Sequence, residues 1–168
     1  DLALTIIDIF VGGLDDNQRT LISPILKDVA NEPAPSLTKV MQALRESTKQ
    51  EAKNLGAQLD LIRQMPYSRL CFSESNKRTV VNTVSGLTVI TLPGIELPES
   101  RETADSNKGR LALGIFYLLT DFVRRIMEND NSLNPKTLII DEAWAVASTK
   151  QGASLIKQVG LLGRSKGL

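Results

Sequence analysis

The sequence predicts an α/β chain. A small all-helical unit over residues 1–66 is followed, over residues 67–168, by part of a parallel sheet with crossover helices. Three observations carry this. Apolar residues recur at helical spacing up to Pro66. Beyond Tyr67, short β-rich runs alternate with helical patterns, the grammar of a parallel sheet. The run Leu138-Ile139-Ile140 then ends in Asp141-Glu142, as a buried strand does where it opens on a ligand crevice.

Taken in order, Leu2, Ile6, Ile9 and Phe10 fit one face of a first helix, although the run is rich in β-formers and also fits a buried strand. Gly12-Gly13 ends that element. Leu14, Leu21, Ile22, Ile25, Leu26 and Val29 repeat at helical spacing, with Asp15 or Asp16 as the cap. Pro24 lies inside this stretch and is expected to kink or restart the helix. Pro33 and Pro35 break the chain. Ser36 then caps a third helix carrying Leu37, Val40, Met41 and Leu44. A fourth carries Ala52, Leu55, Leu59 and Ile62 and stops before Pro66. Leu21, Ile25, Leu44, Leu55 and Leu59 are expected to bury one another.

The second unit opens with a short strand candidate, Leu70-Cys71-Phe72, and a polar stretch from Ser73 to Thr79. Leu87 to Leu92 reads as a clear strand, stopped by Pro93-Gly94. Glu96 to Ser106 is polar and reads as a loop. A long helix runs from about Lys108 to Glu128 and is apolar on most sides, so it is buried or covered by a neighbouring domain. A strand over Thr137–Ile140 and a last helix near Gln151–Leu162 complete the pattern. Val89, Ile90, Leu118, Phe122, Leu138 and Ile140 are the expected core of this unit.

Composition narrows the function. Among 168 residues, 42% are hydrophobic, enough for a globular core. Twenty basic against nineteen acidic residues leave a net charge of +1, so nothing in the charge indicates a nucleic-acid or anionic-membrane partner. With no histidine and the single Cys71, a zinc site, a His-based triad and an internal disulfide framework are implausible. No apolar run reaches the roughly 18–20 residues of a spanning helix. The first residues do not form a secretory signal. The chain starts without Met, which points to an excised piece.

The segment Leu138-Ile139-Ile140-Asp141-Glu142-Ala143-Trp144 carries the chemistry. An aspartate at the end of such a strand can hold Mg²⁺, directly or through water. The next carboxylate can orient or deprotonate an attacking water. This is the Walker B pattern. The competing reading is an ordinary strand whose two acids face a helix N-terminus. The companion Gly-x-x-x-x-Gly-Lys-Ser/Thr loop does not occur: Gly12-Gly13 leads into Leu14-Asp15-Asp16, and Gly109 into Arg110. The phosphate cradle is missing, so the chain reads as part of a larger ATPase, inactive by itself. Further on, Gly163-Arg164-Ser165-Lys166-Gly167 closes the last helix. It is either a C-cap with dipole-complementing cations or a site where Arg164 forks onto phosphate oxygens, within the chain or across a subunit interface.

These two segments, about twenty residues apart, resemble the conjugation and type IV secretion ATPases of the VirB/TraC type, within the HerA/FtsK group of RecA-like motors. The resemblance extends over nearly the whole chain in the order of its elements, and is specific at those two segments. It implies that residues 1–66 are a helical insertion and residues 67–168 part of a RecA-like nucleotide-hydrolase domain, with the P-loop before Asp1. It implies ATP and Mg²⁺ as cofactors. Asp141 would hold the Mg²⁺ shell, Glu142 polarise the lytic water, and Trp144 pack beside the nucleotide. Arg164 would be a nucleotide-sensing or trans-acting arginine. The intact protein would form a homo-oligomeric ring with other subunits of the conjugation or secretion channel as partners. It would lie in the cytoplasm at the inner face of the cell membrane. The alternatives are another P-loop ATPase or helicase, or a non-catalytic partner-docking module. An ABC-type ATPase is disfavoured because no Leu-Ser-Gly-Gly precedes Asp141.

Overall fold

Helices dominate the described residues, and several begin or end for a local reason. The computed structural model describes residues 2–73, 88–96, 98, 100–129, 137, 139–141, 147, 153 and 157. Helix α1 spans Leu2–Val11. Its β-rich run is helical because α1 buries Ile6, Ile7 and Phe10 together and leaves Leu2 and Ile9 half-buried. Packing overrides propensity here. Gly12 and Gly13, at φ +80° and +112°, turn the chain, and the Gly13 N–H donates back to the Asp8 carbonyl at 2.8 Å. Only glycine takes such angles without strain.

Helix α2 spans Asp16–Ala30 and starts with a reciprocal cap. The Gln18 N–H donates to Asp15 Oδ1 (2.8 Å), and the Asp15 N–H donates to Gln18 Oε1 (3.1 Å). Pro24 lies within this element, which runs on as one helix without a restart. The lost N–H is one bond among many, and the helix is held by Ile22, Leu26 and Val29 in the core. Helix α3, Leu37–Glu46, is capped by Ser36, whose Oγ accepts from the Lys39 N–H. It buries Val40, Met41 and Leu44, as its spacing predicts. Helix α4, Gln50–Arg63, likewise buries Ala52, Leu55, Leu59 and Ile62. Leu21 and Ile25 are half-buried against the same core.

After α4 the structure departs from the expected sheet. Leu70-Cys71-Phe72 is no strand: Ser68–Leu70 is a 3₁₀ turn, continued by N–H groups of Cys71 and Phe72 that both donate to the Ser68 carbonyl. Three apolar residues are too few to separate a strand from a helical turn by pattern. Thr88–Leu92 has no regular structure, with Val89 70% and Ile90 42% exposed. β-Branched residues favour a pleated, half-buried surface, and without a paired neighbour that preference makes no strand. Thr137, Ile139 and Ile140 are also irregular, and Ile139 is 85% exposed. The expected α/β class, a partial RecA-like parallel sheet, is therefore overturned: the described residues form helices and connecting segments, with no strand among them. Of the expected core, Val89 and Ile90 are exposed, whereas Leu118, Phe122 and Ile140 are half-buried. Leu138 lies outside the described residues.

Part of the expected loop 96–106 is helix α5, Arg101–Asp105, opened by a capping box between Ser100 and Thr103. Helix α6, Asn107–Asn129, follows, with Ser106 Oγ accepting from the Gly109 N–H at 3.0 Å. Its first half buries Leu111, Ala112, Leu113 and Ile115. Helix α6 packs on α1 and α4, and α4 also packs on α3 and α1. Gly114 lets the crossing close: a Cβ there would collide with the Phe10 ring. That ring stacks on Phe72, with centroids 5.7 Å apart, so one core joins α1, the turn after α4, and α6. Of the expected last helix near 151–162, Ala153 and Lys157 are described, and both are helical.

Candidate functional site

The carboxylate at the centre of the sequence motif is on the surface. Asp141 sits in a turn, directly after half-buried Ile140 and exposed Ile139, and is itself exposed. A buried strand was expected to deliver it; an irregular segment does so instead. Glu142, Trp144 and Arg164 lie outside the described residues, so no distance relates them to Asp141. An exposed carboxylate suits a hard cation, which takes oxygen ligands and keeps several waters. Mg²⁺ in nucleotide sites is held by one or two carboxylates plus the phosphates, so Asp141 fits as one protein donor. Among the described residues no cluster of three or more His, Cys, Asp or Glu side chains is placed to hold a metal without such help.

Three other carboxylates are tied to arginines, and sequence spacing alone did not single them out. Asp8, buried in α1, accepts from Arg19 Nη2 at 2.6 Å and from the Leu14 N–H at 2.8 Å, while Arg19 Nε donates to the Leu14 carbonyl. This knits the glycine turn to α2. Asp60 accepts from Arg45 Nη1 at 3.0 Å and Arg63 Nε at 2.9 Å, joining α3 to α4. Asp121, buried in α6, accepts from Arg124 Nη2 and Arg125 Nε, each at 2.7 Å. Burial alone would raise the Asp121 carboxyl, but the hydrogen bonds and charges of the two arginines outweigh it and hold the group below the usual carboxylate range. The available signal for Asp121 was its spacing to two arginines three and four residues on. For Asp8 it was a lone acid in an apolar helix.

Arg110 was also missed. Its guanidinium lies against Gly12, and its Nε is buried without a hydrogen-bond partner. A cation there complements the negative end of α1. Cys71 is a poor nucleophile, since burial pushes its thiol up to about 12. The Asp8 and Asp60 pairs tie neighbouring helices together, and the Asp121 pairs lie within α6.

Comparison with known proteins adds one positive finding. The family model described as "AAA-like domain" matches residues 3–167. No curated protein and no solved structure matches the chain.

Proposed function

Because this chain belongs to the AAA-like domain family, a family of P-loop ATPases, we propose that it is part of an ATP-hydrolysing motor that powers conjugative DNA transfer or type IV secretion. The single observation that carries the ATPase reading is the family match across residues 3–167, which contains Asp141-Glu142. The conjugative role rests on the resemblance of the 138–144 and 163–167 segments to the VirB/TraC type. On this reading residues 1–66 are the helical insertion and residues 67–168 belong to the hydrolase unit. The motor works as a ring beside channel subunits, at the inner face of the cell membrane. No described helix is long and apolar enough to cross a membrane.

Bound with ATP, Mg²⁺ would neutralise charge on the phosphate oxygens. Asp141 would hold that ion's shell, directly or through a water. Glu142 orients the attacking water and takes its proton. Trp144 would pack beside the nucleotide. Arg164 pairs its planar fork with phosphate oxygens. Phosphoryl transfer needs positioning and charge neutralisation more than covalent chemistry, and these residue types supply both.

Replacing Glu142 by Gln in the intact ATPase tests this. Nucleotide binding should persist while hydrolysis falls by about 10²–10⁴, the usual worth of a general base. Parallel loss of binding and turnover would instead make Glu142 a structural residue.

A further inference from the structure

We infer that Tyr67 and the Pro93–Gly94 turn form a latch, and that residues 88–96 are a strap which this latch holds on the helices and can release. Tyr67 is the one described residue other than glycine at positive φ, +67°. It stands between the end of α4 and the 3₁₀ turn at Ser68–Leu70. Left-handed backbone is costly for an aromatic residue and persists where surrounding structure demands it. The beneficiary is visible. The Tyr67 hydroxyl lies so close to Gly94 that a Cβ on Gly94 would collide with it. Gly94 is itself at φ +79°, so both partners of the contact adopt unusual backbone.

Among the described residues, few other contacts hold the strap. Among the described residues, its backbone hydrogen bond is the local Ile95 N–H to the Leu92 carbonyl, 3.3 Å. Its ion pair, Lys108 Nζ to Glu96 at 2.7 Å, joins side chains that are 66% and 80% exposed. Solvent-exposed pairs of this kind contribute little. Leu92 and Ile95 are only half-buried against the helical core, and Val89 and Ile90 point to solvent. An element with few buried contacts and no ladder opens before the core does. The strap runs on towards α5 and α6, so the latch ties the end of α4 to the segment that feeds the long helix.

Hydrogen–deuterium exchange on the full chain tests this, with peptides over 88–96 compared against peptides over α3 and α4. Tyr67→Ala should speed exchange in 88–96 by about three- to tenfold, the factor expected when one aromatic contact leaves a local opening equilibrium. Exchange in α3 and α4 should not change. Tyr67→Gly removes the ring and also relieves the positive φ. It should therefore free the strap equally without lowering the unfolding midpoint below that of Tyr67→Ala. Gly94→Ala should speed the same peptides less in the Tyr67→Ala background than in the wild type, because the clash with the ring depends on Tyr67 while the strain at positive φ does not. Unchanged exchange at 88–96 in both Tyr67 variants would overturn the latch. So would an increase spread evenly over the strap, α3 and α4, because Tyr67 would then stabilise the fold as a whole.

Discussion

Asp121 shows what a single side chain contributes and at what pH. Its carboxylate is buried in α6 between Arg124 and Arg125, which hold its pKa below the unfolded value of about 3.9. A depressed folded pKa stabilises at pH above the unfolded value, and that stabilisation is lost as pH falls through the folded one. Asp121→Asn should therefore lower stability at pH 7 by about 1–3 kcal/mol, the range for charged hydrogen bonds lost at a buried site. The gap to wild type should narrow below about pH 4. Urea unfolding at pH 7 and pH 3 checks both statements; a gap that stays constant would mean the arginines do not act through the charge. The same residue shows what sequence makes legible. Its i,i+3 and i,i+4 partners follow from helix geometry, but its burial depends on packing that no local pattern encodes. Asp141 is the reverse case. Its motif is plain in the sequence, and the buried strand expected to carry it is not what the structure shows.

At the scale of elements, helices were legible and strands were not. Caps at Asp15 and Ser36, the glycine turn at 12–13, and apolar spacing in α3, α4 and α6 each act within a few residues, so sequence reports them directly. A strand depends on a partner elsewhere in the chain, and Thr88–Leu92 has the composition of one without the pairing. Pro24 does not restart the helix, since core contacts carry α2 through it. The α1–α6 crossing depends on one such non-local fit. Gly114→Ala normally gains roughly 1 kcal/mol of helix propensity. Here the new methyl meets the Phe10 ring, which is buried and stacked on Phe72 and has nowhere to move. Overpacking costs about 1–3 kcal/mol. Gly114→Ala should then lower the melting temperature, and pairing it with Phe10→Leu should recover part of the loss. Strict additivity of the two substitutions would show that they do not meet.

For the whole molecule, the decisive question is how an incomplete set of phosphate-binding groups becomes a working site. On the proposed reading, Asp141-Glu142 has no companion Gly-x-x-x-x-Gly-Lys-Ser/Thr sequence in this chain, and the phosphate contacts would come from another part of the motor. Arg164 is the proposed contribution across a subunit boundary. Between Asp141 and Arg164 lies the expected helix near 151–162, where Ala153 and Lys157 are helical. If that helix runs its expected length of about 12 residues, roughly 18 Å, its far end would lie away from its own Asp141. An arginine so placed serves a neighbour's nucleotide better than its own. Mixing variants of the intact protein decides the matter. Subunits with Arg164→Ala keep their own Glu142, and subunits with Glu142→Gln keep their own Arg164. If the arginine acts across the interface, a mixed pair can rebuild one complete site from the Glu142 of one subunit and the Arg164 of its neighbour. Activity at intermediate ratios should rise above that of either variant alone, peaking where mixed neighbours are commonest. An arginine acting within its own subunit leaves every site in the mixture defective. Activity would then follow the weighted mean of the two variants at every ratio, even though mixed rings form, and the trans-acting role would be lost.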